Sequence, residues 1–288
     1  MKKEIVASRK LTEGERAFKN LDLSKADLHL HSDYSDGNYG VAEVLQRAKA
    51  GGAQVISITD HDGIQGIPEA REIAIKMGNL RLVSGVEFSA EGPLGEELHI
   101  LGYYFDGENP ALLGMIEWMK SQRRERNRRL FEVMSSEGVF VGEEDFLGES
   151  NFHYIGKPLI AKKMVEKGYI TQPAQAFQSG VYFGSESWRR VKKNKVTSKE
   201  AIEKIRGAGG AAVLAHPLKI KKLGKRNSES FWHTLEELLR VLKEQGLFGL
   251  ECYYPEHTQE EEERLLGIAR DVGLSPSKGS DFHGQEED

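Results

Sequence analysis

Two short stretches near the ends of the chain, Asp27-Leu28-His29-Leu30-His31 and Ser280-Asp281-Phe282-His283, carry potential metal ligands at alternating positions. In an extended strand, side chains two residues apart point to the same face. Each stretch therefore offers two ligands in one direction. Further histidines and carboxylates lie between the two stretches: Asp36, His61, Glu87, His99 and His216. A barrel of parallel strands could gather all of these side chains at one end.

The composition is that of an ordinary globular protein. The chain has 288 residues, of which 39% are hydrophobic and 30% charged, with a formal net charge of -5. This balance argues against a protein that coats nucleic acid through a basic surface, and we expect no stable nucleic-acid complex. No apolar run reaches the roughly 18 residues of a membrane span, and no signal peptide is evident. The single cysteine, Cys252, cannot form a disulfide within the chain, so we expect a protein of the reducing cytoplasm.

Short predicted strands alternate with longer predicted helices in two parts of the chain, residues 25–105 and 197–288. Repeated strand–helix units predict an α/β fold with a parallel sheet, whose carboxyl-end loops form barrel sites. Residues 106–196 lack this alternation of strands and helices and are predicted to form an inserted, mainly helical subdomain. Residues 1–24 are mostly polar, and we expect them to form a loose leader.

The candidate ligands favour a metal centre when they are considered together. Taken singly, His99 or His216 would more often be a hydrogen-bonded core histidine. Glu87 could be a surface residue, and Asp36 could merely form a turn. Jointly, most of the candidates fall at or just after predicted strand ends, where one barrel would bring them together. Histidines and carboxylates without thiolates suit Mn, Fe or Zn acting on oxygen-containing substrates, and do not suit a cysteine-rich structural zinc site.

Seven short motifs surround these candidates. They are Asp27-Leu28-His29-Leu30-His31-Ser32, Ser35-Asp36-Gly37, Ile58-Thr59-Asp60-His61-Asp62, Gly85-Val86-Glu87, Leu98-His99-Ile100-Leu101-Gly102, Ala215-His216-Pro217 and Gly279-Ser280-Asp281-Phe282-His283-Gly284. In type and order they resemble the motifs of the PHP (polymerase and histidinol phosphatase) superfamily. The helical insertion after the fifth motif resembles the bacterial metal-dependent phosphoesterases of that superfamily. This branch includes nucleoside 3',5'-bisphosphate/AMP phosphatases and a 5'-to-3' exoribonuclease.

The resemblance implies a distorted (βα)7 barrel of the TIM-like PHP type that holds three divalent transition-metal ions. The implied ligands are His29, His31, Glu87 and Asp281 for the first ion, Glu87, His99 and His216 for the second, and Asp36, His61 and His283 for the third. The family's ions are usually Mn, Zn or Fe, among which the sequence does not choose. Such ions lower the pKa of a bound water and supply hydroxide for hydrolysis. His257 resembles a family position near the site, and an exposed loop histidine is an equal alternative.

The predicted insertion carries the candidate substrate contacts. Arg123, Asn127 and Arg126 lie on one predicted helix at spacings that share a face, and arginines there could bind phosphate. On their own, they would more often belong to a solvated helix balanced by glutamates. The resemblance favours the functional interpretation, because the family's insertion caps the barrel mouth. Lys157 stands where the family often has arginine, and Leu159 where it often has histidine, so a substrate contact of that histidine would be lost here.

These features predict a metal-dependent phosphoesterase that hydrolyses phosphate esters, with a nucleotide or the end of a short RNA as the expected substrate. Two alternatives remain. One is a phosphatase of a small metabolite such as histidinol phosphate, and the arginine-bearing insertion makes this alternative less favoured. The other is a non-catalytic PHP module that binds metal or a partner protein, and the complete set of candidate ligands makes this alternative less favoured.

Overall fold

The structure is a computed structural model that describes residues 10–149, 152 and 154–284. The helices in this part of the chain are α1 (Glu13–Lys19), α2 (Val41–Ala50), α3 (Gly66–Met77), α4 (Pro110–Ser136), α5 (Lys157–Glu166), α6 (Glu186–Arg190), α7 (Ser198–Gly207), α8 (Glu229–Gln245) and α9 (Gln259–Val272). The strands are β1 (Ala26–Leu30), β2 (Val55–Ile58), β3 (Arg81–Leu82), β4 (Gly85–Glu91), β5 (Glu97–Tyr103), β6 (Val196–Thr197), β7 (Ala211–Leu214), β8 (Gly249–Tyr253) and β9 (Ser275–Lys278). None of the helices described has the length and apolar character that crossing a bilayer requires.

The strands form two sheets that are joined to each other along both sides. β1, β2 and β3 pair in parallel, and the second sheet has the order β6-β4-β5-β7-β8-β9. Isolated parallel bridges from His61 to Glu87 and from Leu30 to Phe282 join the two sheets. The strands therefore close into a ring, and the α/β barrel class predicted from the sequence is confirmed.

β5 runs antiparallel to both of its neighbours, β4 and β7, so the prediction of a wholly parallel sheet is wrong at this strand. Only residues 92–96 separate β4 from β5. A parallel connection needs a crossover of a dozen or more residues, whereas a short loop can form only a hairpin. In this hairpin His99 pairs with Ser89, two residues beyond Glu87, so the His99 and Glu87 side chains share a face of the sheet.

Helix α1 lies within the predicted polar leader, residues 1–24, so the expectation of a loose segment is wrong there. The Thr12 hydroxyl accepts a hydrogen bond from the Glu15 N–H, and the Glu15 carboxylate accepts one from the Thr12 N–H. This capping box starts the helix. Phe18 is buried with its ring centroid 5.3 Å from that of Tyr103. The buried Phe18 ring and a 2.8 Å hydrogen bond from the Gly14 N–H to the Gly209 carbonyl hold this helix against the barrel. The first nine residues lie outside the described part of the chain.

Helix α4 contributes to two hydrophobic clusters. Leu112, in its first half, belongs to the main cluster with α7 and the barrel strands. Leu130 and Met134, in its second half, belong to a cluster whose described members all lie between residues 130 and 191. A local core of this kind supports the predicted insertion at 106–196, and the division into domains stays a prediction.

Candidate metal centre

All nine candidate ligands lie together at one end of the strand ring. Three of them, His29, Glu87 and His99, lie within strands, and six follow strand ends: His31, Asp36, His61, His216, Asp281 and His283. Each has a nitrogen or oxygen atom within 4.0 Å of another member. The structure thus brings together all nine candidate metal ligands, while their binding of metal stays a prediction.

Glu87 is the centre of this cluster. Its carboxylate is fully buried. Its two oxygens lie 2.8–3.3 Å from a ring nitrogen of each of five histidines, His29, His31, His61, His99 and His216. A carboxylate with two oxygens directed at different histidines has the geometry required of a ligand shared by two metal ions.

Two further carboxylates complete the cluster on either side of His31. Oδ1 of Asp281 lies 3.3 Å from Nε2 of His29 and 3.4 Å from Nε2 of His31. Oδ1 of Asp36 lies 3.3 Å from Nε2 of His283, and its Oδ2 lies 3.7 Å from a ring nitrogen of His61. Acidic oxygens therefore alternate with imidazole nitrogens across the site.

Most of the candidate ligand atoms fall into three groups, within each of which they lie no more than 4.8 Å apart. The groups are His29, His31 and Glu87; His61, Glu87 and His99; and His31, Asp36, His61 and His283. The first two groups share Glu87, as the resemblance implies for the first two ions, but the second contains His61 where the resemblance implies His216, and the first lacks Asp281. The third contains the residues implied for the third ion, together with His31.

Several buried atoms of the cluster have no hydrogen-bond partner among the residues described. They are Nε2 of His29, both ring nitrogens of His31, Oδ1 of Asp36, Nδ1 of His61, Oε2 of Glu87 and Nδ1 of His216. Buried polar atoms without partners cost free energy, and a divalent cation between them would remove that cost. Cys252 is buried with its thiol near the Leu250 carbonyl, outside the cluster. The donor set therefore fits Mn, Fe or Zn.

The carboxylates and imidazoles shift one another's pKa. Burial alone would lower the pKa of His29, but Glu251, Glu87 and Asp281 raise it well above its ordinary value. Burial also opposes protonation of His31, yet the nearby carboxylates of Asp281 and Glu87, 3.4 and 3.3 Å from its Nε2, raise its pKa to about 10. Burial would raise the pKa of Glu87, and the surrounding histidines instead hold it well below its usual range. Because metal binds deprotonated ligands, metal binding here must release protons.

Glu251, which sequence reasoning missed, supports two of the candidate ligands. It is fully buried on β8, its Oε1 lies 3.0 Å from Nδ1 of His29, and its Oε2 accepts a 2.7 Å hydrogen bond from the His216 N–H. His216 has a φ of 26°, a strained value for a residue other than glycine, which this bond helps to hold. The signal was present in the sequence, because Glu251 stands between the apolar residues Leu250 and Cys252 of a buried strand.

The loop that carries Asp36 is held by Asp60. The Asp60 carboxylate accepts hydrogen bonds from the Ser32 N–H at 2.8 Å, the Ser32 hydroxyl at 2.7 Å and the Ser35 hydroxyl at 2.7 Å. All three contacts are buried. They fix the position from which Asp36 enters the cluster, which is the support that ligating carboxylates generally require.

Asp281 is held in a similar way by its neighbours. Ser280 donates its N–H and its hydroxyl to the carboxylate of Asp27, at 2.9 and 2.7 Å. The Tyr254 hydroxyl donates to Oδ2 of Asp281 at 2.9 Å. The last strand end of the ring is therefore anchored to β1 and to the loop after β8.

A cavity of about 940 Å³ extends from the cluster to the predicted insertion. Its size is within the range of small-molecule sites. Six of the candidate ligands line one side, and the wall from the predicted insertion carries an excess of cations: Arg123, Arg126, Lys157, Arg189, Lys192, Lys193 and Lys195. The basic loop at 219–222 lines the same cavity.

Arg123 is engaged within the protein. It donates to the carboxylate of Asp62, which also lies 2.9 Å from Nζ of Lys193, and Arg123 and Asp62 are buried. The Arg123 guanidinium lies 3.8 Å from the Tyr154 ring centroid, and the Tyr154 ring stacks on that of His61 at 5.6 Å. These contacts tie α4 to the turn after β2, so Arg123 positions the cavity wall.

Arg126 and Lys157 line the cavity without a carboxylate partner among the described residues. Arg126 is only 5% exposed, makes one 3.4 Å contact with the Ile155 carbonyl, and its Nε has no partner in the described structure. Burial, followed by the charge of Arg123, lowers the pKa of Arg126 to about 10. A buried, unpaired guanidinium is costly, and a bound anion would offset that cost. Asn127 instead donates to the Ile155 carbonyl at 3.0 Å and is not among the described residues of this wall.

Two positions singled out by the resemblance lie away from this cavity. The His257 ring has Nδ1 3.0 Å from the Cys252 carbonyl and faces a separate cavity of about 850 Å³. It packs on Tyr254, with 5.1 Å between ring centroids, and Tyr254 is the residue that contacts the cluster. Leu159 is buried in the local core at 130–191. Neither side chain is a described part of the wall that faces the candidate ligands.

The fold and the site define a metal-dependent hydrolase, and comparison with known proteins specifies its family. The PHP domain matches residues 27–254. A 5'-3' exoribonuclease of Haemophilus influenzae is 33% identical over 264 residues, which are 90% of this chain and 90% of that protein. A 3',5'-nucleoside bisphosphate phosphatase of Chromobacterium violaceum is 29% identical, with 91% and 88% of the two chains covered. A solved structure from Bifidobacterium adolescentis, assigned as a metal-dependent phosphoesterase, matches with a TM-score of 0.77 at 29% identity, covering 91% and 88%.

This chain belongs to the PHP family and is a metal-dependent phosphoesterase. The resemblance seen in its sequence motifs is confirmed.

Proposed function

We propose that this phosphoesterase removes a phosphate group from a nucleotide or from the end of a short RNA. The observation that carries the proposal is the shared cavity, which has the ligand cluster on one side and the unpaired Arg126 on the other. The relatives named above act on RNA and on a nucleoside bisphosphate, which supports a substrate with more than one phosphate. The single cysteine supports a cytoplasmic location for the reaction.

The proposal assigns three divalent ions to the cluster. The ligands would be His29, His31, Glu87 and Asp281 for the first, Glu87, His99 and His216 for the second, and Asp36, His61 and His283 for the third. When bound, such ions activate water and neutralise charge on the phosphate. The chain's own residues fix the ligands: Glu251 orients His29 and His216, and Asp60 holds the loop that carries Asp36.

Arg126 and Lys157 would bind a second phosphate of the same substrate. A guanidinium can make two parallel hydrogen bonds with a phosphate, and these are stronger than bonds between neutral groups. With its pKa at about 10, Arg126 stays charged at neutral pH. A bisphosphate would therefore span the cavity, with one phosphate at the cluster and the other at Arg126.

The test is a hydrolysis assay on protein loaded separately with Mn, Fe or Zn. The substrates are a nucleoside 3',5'-bisphosphate, a nucleoside 3'-monophosphate, a 5'-phosphorylated short RNA and histidinol phosphate. We expect Arg126→Met to lower kcat/KM for the bisphosphate by about tenfold to a hundredfold, as for loss of one hydrogen bond to a charged group. The monophosphate should be hydrolysed at the unmodified rate. The exposed Arg124 on the same helix provides the matched control, Arg124→Met.

Three outcomes would contradict the proposal. Absence of phosphate release from every substrate with every metal would reject the proposed reaction. Preferred turnover of histidinol phosphate would identify a small-metabolite phosphatase. Unchanged phosphate release by His61→Ala would show that the cluster does not perform the reaction, as expected for a non-catalytic metal-binding module.

A further inference from the structure

Phe177 presents an exposed aromatic ring on the cavity wall. It ends the 3-10 turn Pro173–Phe177, lines the cavity and is 46% exposed. Tyr154, which lines the same wall, is instead covered by Arg123 and His61. Of these two side chains on the described wall, Phe177 has the more exposed ring.

The Phe177 ring is held in place from behind. It stacks on Phe183 with 5.2 Å between ring centroids and 26° between ring planes. Phe183 is buried and meets the fully buried Trp188 edge-on at 5.1 Å. Two aromatic contacts in series leave the supporting ring little freedom, so the exposed surface of Phe177 is presented in a fixed orientation.

Positive charge lies beside this aromatic stack. Nζ of Lys157 is 5.6 Å from the centroid of the Phe183 ring, the ring on which Phe177 stacks. Arg126 and Arg189 line the same cavity. A flat apolar surface next to unpaired cations matches a ligand that joins an aromatic ring to a phosphate. Proteins that bind single-stranded nucleic acid combine the same two elements.

We propose that Phe177 is the stacking platform for the base of a nucleotide whose phosphate lies at Lys157 and Arg126. This inference rests on the proposed function and narrows it, because a phosphorylated sugar without a base would not use the platform. Stacking on an aromatic side chain is tolerant of base identity. The platform therefore selects nucleotides as a class and does not distinguish one base from another.

The experiment compares adenosine 3',5'-bisphosphate with the tetrahydrofuran 3,5-bisphosphate that lacks a base. Wild type, Phe177→Ala, Phe177→Leu and Phe177→Tyr are assayed with the same metal. We expect Phe177→Ala to raise KM for the nucleotide by about tenfold to a hundredfold, and to leave KM for the abasic compound and kcat unchanged. Phe177→Leu keeps an apolar contact with Phe183 and should behave like Phe177→Ala, whereas Phe177→Tyr should retain wild-type KM.

Binding of the two compounds by calorimetry separates this inference from the proposed function. If the wild type binds the nucleotide more tightly than the abasic compound, and Phe177→Ala abolishes this difference in affinity, the platform is supported. This holds even if the protein hydrolyses neither compound, because that result would reject only the proposed reaction. Equal affinity of the wild type for both compounds overturns the inference. So does an equal loss for both compounds in Phe177→Ala, or wild-type behaviour of Phe177→Leu.

Discussion

Glu251 on β8 and His29 on β1 are joined by a buried contact of 3.0 Å between Oε1 and Nδ1. The contact orients the ring so that Nε2 of His29 faces Glu87 and Asp281, at 3.3 Å from each. Since the other oxygen of Glu251 accepts the N–H of His216, one side chain positions candidate ligands from two strands.

We expect Glu251→Gln to weaken metal binding by about tenfold to a hundredfold, the range observed when such supporting residues are altered. The glutamine loses the charge beside His29 and cannot present oxygens to both His29 and His216. Metal affinity, measured by competition with a chromophoric chelator, checks this. The exposed Glu244→Gln is the control, and equal affinities of the two variants would show that Glu251 does not tune the site.

Glu87→Gln should remove metal from the two sites proposed to share this side chain. Its carboxylate contacts five histidines, and a glutamine amide would bring a neutral group with only one acceptor oxygen to the same position. We expect metal content, measured by mass spectrometry, to fall at both sites, and phosphate release to fall by several orders of magnitude. Glu72→Gln, at an exposed position of α3, should retain both properties. A Glu87→Gln protein with full metal content would refute the assignment of a bridging ligand.

Arg123→Met should reduce stability more than it reduces substrate binding. The substitution removes one partner of a buried ion pair, and breaking such a pair costs about 3–5 kcal/mol when no other charge compensates. Lys193 remains beside Asp62, so we expect a loss of about 2 kcal/mol in the free energy of unfolding, measured in urea. Arg124→Met should stay within about 0.5 kcal/mol of wild type. Unaltered stability with a large increase in KM would instead make Arg123 a substrate contact.

Glu261 should make stability depend on pH between about 4.5 and 2. Hydrogen bonds from Arg226 chiefly, and from the Thr258 N–H, lower its pKa from 4.5 to about 2. A carboxyl group whose pKa is lower in the folded state stabilises the fold above its unfolded pKa, and this contribution is lost as pH falls toward the folded value. We expect Glu261→Gln to cost about 1–2 kcal/mol at pH 7, and the difference from wild type to shrink below pH 4.5. Denaturant titrations at a series of pH values measure this difference, with the exposed neighbour Glu260→Gln as the control substitution.

The sequence predicted the parts of this structure that depend on local pattern. Alternating positions in β1 identified His29 and His31, and helical spacing placed Arg123, Arg126 and Asn127 on one helix, which is α4 in the structure. The antiparallel direction of β5 was missed because the alternation of strands and helices was given more importance than the short connection before this strand. Phe18 was missed because a single aromatic residue does not alter a polar composition.

Residue type and position along the strands were enough to identify the candidate ligands. The contacts of the surrounding residues depend on which loops meet in the folded chain. The engagement of Arg123 by Asp62 joins segments far apart in the chain, and no local pattern indicates that Arg123 is paired while Arg126 is not. The prediction of Arg123 and Asn127 as substrate contacts rested on a shared helix face and on the family resemblance, neither of which indicates burial or pairing. Burial and pairing, which separate these residues, are properties of the folded chain.

The walls of the cavity come from different parts of the sequence. Every candidate ligand lies on a barrel strand or just after one, whereas Arg126, Tyr154, Lys157 and Phe177 lie between β5 and β6. Changes within the segment between these strands would alter the shape and charge of the wall opposite the cluster without replacing any candidate ligand. The arrangement separates the residues that would bind metal from those that would recognise a substrate, so one set can be altered by mutation without substituting the other.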